Sequence, residues 1–210
     1  MRIILLGMPG AGKGTQAQII EEELAIANVS TGAILREVSK SESDLGQKVQ
    51  TYLNSGQLVP DEIIIEMLVE RISKDDCNNG FILDGFPRNI EQAKSLDQAG
   101  VSIDLVIYLK ILEEQIIERM SGRRIHLASG RSYHTTFNPP KVDGKDDLTG
   151  EDLVQRSDDK PDVIKKRLEV YFNETEPMLD FYKNKDIQFY EIDASESVKA
   201  VTEKILKIIN

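Results

Sequence analysis

The chain has 210 residues and carries 26 Lys and Arg against 36 Asp and Glu, a formal net charge of −10. Nucleic acid and anionic lipid are gripped through clustered Lys and Arg, so this composition excludes both as broad partners, and any polyanionic ligand has to be held locally. A single cysteine, Cys77, excludes an internal disulfide and a multi-thiolate metal site, and no run approaches the ~18 apolar residues of a membrane span, which predicts a soluble, cytoplasmic protein.

Ile3–Leu6 is an all-apolar run stopped by Gly7 and Pro9, the pattern of a buried strand in a parallel sheet. It is too short for the ~7–15-residue apolar stretch of a secretory leader. From Lys13 to Leu24 the period turns helical, with Ala17, Ile20 and Leu24 on one face. Between the two lies Gly7-Met8-Pro9-Gly10-Ala11-Gly12-Lys13-Gly14-Thr15, a phosphate-binding loop in its required place between strand and helix. Glycines let the backbone turn its N–H groups inward on phosphate, the helix N-terminus adds its positive dipole end, and Lys13 supplies a mobile charge for the β and γ phosphates. The hydroxyl arrives one position late, at Thr15 behind Gly14, so Thr15 is expected to touch phosphate rather than ligate magnesium.

Residues 30–59 contain no strand-like run and have the pattern of short amphipathic helices broken at Ser41–Ser43 and at Ser55-Gly56. Asp61–Ile72 follows as a helix, Cys77 as a loop thiol without a reactive role, and Phe81-Ile82-Leu83 as a second strand ending at Asp84. Leu105–Leu109 is a third strand and Ile111–Met120 a helix. Residues 122–159, with Gly122, Gly130, Pro139, Pro140, Gly144 and Gly150, are turn-rich, the composition of a lid or binding segment. Phe189–Ile192 is the last strand and Val198–Ile208 the closing helix. Strands alternating with helices predict an α/β fold, a doubly wound parallel sheet of the P-loop type. Residues 1–29, 60–121 and 160–210 make the core, with 30–59 and 122–159 as insertions.

The form Gly-x-Pro-Gly-x-Gly-Lys-Gly-Thr resembles nucleoside monophosphate kinases, and Asp84-Gly85-Phe86-Pro87-Arg88 matches a long signature of adenylate kinases. Ser30-Thr31-Gly32 with Arg36, Gly56–Asp61, Gly122-Arg123-Arg124, Arg156 with Asp158 and Asp159, and Arg167 fall in that family's order and spacing over essentially the whole chain. The sequence thus resembles the long-lid bacterial adenylate kinases. The resemblance implies reversible transfer of the terminal phosphoryl group of ATP to AMP, giving two ADP, by a monomer that takes its ATP with Mg2+. It makes 30–59 an AMP-binding subdomain and 122–159 a lid.

Carried onto this chain, the resemblance implies a catalytic set of Lys13, Asp84, Arg88, Arg123, Arg156 and Arg167. ATP would touch Gly10, Ala11, Gly12, Lys13, Gly14 and Thr15, then Arg119 stacked on adenine, Arg123, and Ser132, Tyr133 and His134 of the lid. AMP would touch Thr31, Arg36, Gln57, Leu58, Val59, Gly85, Phe86, Pro87, Arg88, Gln92, Arg156 and Arg167, with Arg36 and Arg88 on its phosphate. The chemistry suits these residue types. Phosphoryl transfer asks for positioning and positive charge, and arginine's planar fork pairs with phosphate oxygens two at a time. The AMP phosphate, with a second pKa of about 6, is already a dianion and needs no general base. Gln92 offers both a donor and an acceptor, which would tell adenine from guanine. Asp84 is implied to orient magnesium's water shell without direct ligation, its other reading being a strand-end cap. Asp158 and Asp159 are either partners of the converging arginines or a solvated acidic turn before Pro161.

Many long-lid relatives fix the lid with paired Cys-x-x-Cys on zinc. Here those places are His126-Leu127-Ala128-Ser129 and Asp146-Asp147-Leu148-Thr149, so no structural zinc is expected, and His126, Ser129, Asp146 and Thr149 are expected to form a hydrogen-bond network instead. Two rivals stand beside this reading. A kinase for UMP, CMP or GMP would share the loop. A GTPase-type switch would need a guanine-reading motif, but Asn184-Lys185-Asp186-Ile187 lacks its final acid.

Overall fold

The computed structural model describes residues 1–210. Five strands, β1 (Arg2–Gly7), β2 (Ala27–Ser30), β3 (Phe81–Asp84), β4 (Leu105–Lys110) and β7 (Gln188–Asp193), form one parallel sheet in the order β2-β3-β1-β4-β7. Helices α1 (Lys13–Leu24), α6 (Glu113–Gly122), α7 (Pro161–Val170) and α9 (Val198–Ile209) cover one face. On the other lie α2 (Thr31–Val38), α3 (Asp44–Ser55), α4 (Asp61–Ile72), α5 (Ile90–Gln98) and α8 (Pro177–Lys183). Successive residues of a strand point to opposite faces, and so Ile3 and Leu5 enter one apolar cluster while Ile4 and Leu6 enter the other. This is why β1 and β4 carry unbroken buried runs, Ile3–Leu6 and Leu105–Leu109, with charge only at Arg2 and Lys110 on their ends: they are central strands buried on both sides.

The doubly wound α/β expectation therefore describes the observed architecture. One strand escaped the sequence pattern. In β2, only Ala27 and Val29 are buried, with Asn28 and Ser30 between them, because the strand lies at the sheet edge. An edge strand needs no continuous apolar run. The helix expected from Ile111 begins instead at Glu113, Ile111 being spent in the core before the helix starts. In the turn-rich stretch, β5 (Arg123–Ile125) and β6 (Ser132–His134) form a separate antiparallel pair, extended by isolated bridges Ile125–Val154 and Lys145–Asp152. No helix is long and apolar enough to cross a membrane.

Candidate active site

The carboxyl ends of β1 and β3 open into a cavity of ≈ 850 Å³. Parallel α/β sheets place ligands at this edge, where helix N-termini converge. The loop after β1 lines it with Gly10, Ala11, Gly12, Lys13, Gly14 and Thr15. Gly12 caps α1 at φ 100, in the left-handed region that side-chain-bearing residues avoid. Gly10, at φ 84, lets the loop press against α6 so closely that an added Cβ would sit 2.7 Å from Met120 Cγ. Lys13 folds back over the loop, its Nζ donating to Gly7 O at 2.7 Å and Met8 O at 2.8 Å. Burial lowers its pKa to about 7; Asp84 opposes the shift, while Arg88, Arg167 and Arg123 reinforce it.

The six expected arginines, Arg36, Arg88, Arg119, Arg123, Arg156 and Arg167, share the cavity wall, to which Arg71 also contributes. The six come from six segments, α2, the turn after β3, α6, β5, the loop ahead of α7, and α7 itself, and only folding brings them together. Arg88 Nε donates to Gly85 O at 2.7 Å, while its own carbonyl accepts from Thr175 Oγ1 at 2.7 Å, so both ends of the residue are held. Arg123 donates to both oxygens of fully buried Asp159, through Nε at 2.8 Å and through a terminal nitrogen. Arg167 donates to Asp158 Oδ2 at 2.9 Å and to Asp158 O at 3.1 Å. Asp158 and Asp159 are thus partners of the arginines rather than a solvated turn.

Positive charge still exceeds what these acids neutralise. Burial, followed by repulsion from Arg123 and Arg36, lowers Arg156 to about 9. Arg167 falls to about 10, by burial first, with Asp158 opposing the shift and Arg123 adding to it. Arg36 and Arg88 are lowered too, again chiefly by burial. Arg156 Nε is buried with no hydrogen-bond partner. A pocket that depresses its own cations and leaves a buried donor open favours a polyanion, which would relieve both penalties. Asp84 also lines the cavity, accepting from Ser30 Oγ at 3.2 Å and lying beside Gly14.

Other expected contacts divide. Leu58, Gly85 and Pro87 line the cavity, as do Ser132, Tyr133 and His134 from β6. Thr31 is buried beside it, donating to Gly85 O at 2.9 Å. Phe86 is part of the apolar core, and Gln57 and Val59 line a smaller hollow of ≈ 490 Å³ next door. Gln92 is 1% exposed, with Nε2 donating to Asp61 at 2.7 Å and Oε1 accepting from Arg88 N at 2.7 Å. The Tyr133 hydroxyl turns toward Asp146, while His134 Nδ1 accepts from the N–H groups of Thr136 and Phe137 at 2.9 and 3.0 Å.

Within the turn-rich segment, hydrogen bonds join His126, Ser129, Asp146 and Thr149 with further residues. His126 Nδ1 meets Ser129 Oγ at 2.7 Å, and Asp146 accepts from Thr149 Oγ1 at 3.0 Å. Three members had no sequence signal. Arg131 donates to both Asp146 oxygens at 2.8 and 2.6 Å, Tyr133 OH donates to the same carboxylate at 3.0 Å, and Glu151 contacts His126 Nε2. No group of three or more His, Cys, Asp or Glu side chains is arranged to hold a metal ion. The segment Ala194–Val198 after β7 also lines the cavity, although no motif marks it. Its position past the carboxyl end of a parallel strand is the signal that pointed there.

A family profile described as adenylate kinase matches residues 5–187. The adenylate kinase of Francisella philomiragia subsp. philomiragia is 53% identical over 211 residues, covering 98% of each chain. Those of Francisella tularensis subsp. novicida and subsp. tularensis are each 52% identical over 216 residues, covering 100% of this chain and 99% of theirs.

Proposed function

The chain belongs to the adenylate kinase family, and we propose that its cavity performs an ATP:AMP phosphotransferase reaction, the reversible conversion of ATP and AMP into two ADP. One observation carries the assignment of residues to that reaction: Lys13 of the phosphate loop and six arginines from distant parts of the chain face a single cavity.

In this reading ATP lies with its phosphates over Gly10–Thr15, its γ-phosphoryl group among Lys13, Arg123, Arg156 and Arg167, and its adenine against Arg119. AMP lies across from it, its phosphate between Arg36 and Arg88. An oxygen of the AMP phosphate attacks the γ-phosphorus, the bond to the β-γ bridging oxygen breaks, and the electron pair leaves with ADP. Charge spreads over the transferring oxygens, where the guanidinium forks stabilise it without reorganising. A Mg2+ ion brought in with ATP would offset phosphate charge. Asp84, a carboxylate at the cavity's edge, suits its water shell.

Residues 30–59 would close over AMP and 122–159 over ATP, excluding water as an acceptor. The reading takes the protein as a monomer, and the buried lone thiol Cys77 fits a cytoplasmic setting. A coupled assay of ADP formation from ATP and a panel of monophosphates tests the assignment. AMP should turn over fastest; faster turnover of UMP, CMP or GMP would give the site to the other monophosphate kinases.

A further inference from the structure

Behind the Gly85–Arg88 turn, Asp61 at the first residue of α4 receives three hydrogen bonds. Gln92 Nε2 donates to Oδ1 at 2.7 Å, and Asn89 Nδ2 donates to Oδ1 at 3.2 Å and Oδ2 at 3.1 Å. The other end of the Gln92 amide, Oε1, accepts from the backbone N–H of Arg88 at 2.7 Å. The partners decide which end of the amide is which. A carboxylate only accepts and a backbone N–H only donates, so the NH2 group has to face Asp61 and the oxygen has to face Arg88.

We infer that Asp61 is a specificity-determining positioning residue, which sets the base preference of the AMP site by locking the direction of the Gln92 amide. This rests on the reading that Gln92 meets the base. With those bonds in place, one Nε2 hydrogen and one Oε1 lone pair remain, in a fixed order. A 6-aminopurine offers a ring-nitrogen acceptor beside an exocyclic donor and matches that order. A 6-oxopurine offers a ring N–H beside a carbonyl and needs the amide reversed. Reversal would turn Oε1 onto the Asp61 carboxylate and Nε2 onto the Arg88 N–H, losing two bonds and setting like poles together at a site where Gln92 is 1% exposed. A site that fixes a buried polar group rejects the mismatched ligand more strongly than an apolar pocket does.

The test compares kcat/KM for AMP and for IMP at saturating ATP in the wild type, Asp61→Asn and Gln92→Leu. Asparagine can present either an acceptor or a donor to Gln92, so it releases one side of the lock. The AMP:IMP ratio should fall about tenfold in Asp61→Asn, the worth of roughly one hydrogen bond, mainly through the KM values. The ratio is unaffected by the fraction of enzyme folded, so a merely structural role for Asp61 would leave it unchanged. If Gln92→Leu collapses the ratio and Asp61→Asn keeps it, the role given to Asp61 is wrong while Gln92 still reads the base. If neither moves it, Gln92 does not read the base at all.

Discussion

Arg123 on β5 and Asp159, just ahead of α7, are joined by two hydrogen bonds, with the carboxylate fully buried. The pair ties the first strand of the lid to the helix that carries Arg167, which lies 3.8 Å from the same carboxylate. Removing one member of a buried pair strands the other charge. For Asp159→Ala we expect a loss of about 3 kcal/mol, near the low end for such pairs because Arg123 borders the cavity. Urea unfolding measures it, and a change within about 0.5 kcal/mol, typical of a surface site, would contradict the assignment.

Lys13→Met should behave oppositely, hurting activity and sparing the fold. The ammonium is already disfavoured by burial, so the thioether removes a penalty along with a charge. A fall in kcat of about 10²–10³, the usual effect of deleting one transition-state charge partner, should accompany an unchanged or higher thermal midpoint. Near-normal turnover would remove Lys13 from the mechanism.

The same lysine makes binding pH-dependent. Its pKa in the folded protein is about 7, below the ordinary 10.5, so between those values the unfolded chain binds more protons. Its contribution to stability therefore rises with pH across that window, and below about 7 its penalty is constant. A bound polyphosphate raises the lysine's pKa again, so ATP binding at pH 8 should take up a proton. Titration calorimetry in two buffers of different ionisation enthalpy reads the uptake directly; the Lys13→Met protein should lose it.

Asp146 holds the lid together, and its carboxyl lies far below the usual range, chiefly because Arg131 donates to it. For a depressed carboxylate, stability is present above the ordinary value of 3.8 and lost as pH falls below it. Amide exchange across residues 123–156 should therefore accelerate on acidification below that value, ahead of the central sheet, and Asp146→Ala should show the same loosening at neutral pH. EDTA should leave the thermal midpoint where it is. Stoichiometric zinc in the purified protein would mean that the network is not what fixes the lid.

The central strands, the phosphate loop and the closing helix were legible because each is encoded locally. Continuous apolar runs mark strands buried on both faces, and Gly12 precedes Lys13 because only glycine sits easily at the start of that helix. β2 was not legible, since an edge strand buries every other residue and leaves no run. The lid network was half legible. His126, Ser129, Asp146 and Thr149 stood at spaced positions with complementary donors and acceptors, but Arg131, Tyr133 and Glu151 differ in no local way from surface residues.

By itself, the sequence determined the α/β class, the anion-binding loop, and, through its long motifs, the family and the list of arginines. Local spacing and composition are enough for these. What only the tertiary structure decided is which groups are already spoken for. Asp158 and Asp159 pair with Arg167 and Arg123, Arg156 keeps an unpartnered buried donor, and the Gln92 amide is held at both ends. The physical reason is distance in the chain. Asp61 and Gln92, like Arg123 and Asp159, are some thirty residues apart, and whether two polar groups satisfy each other depends on a separation of a few ångströms that only the packed fold sets.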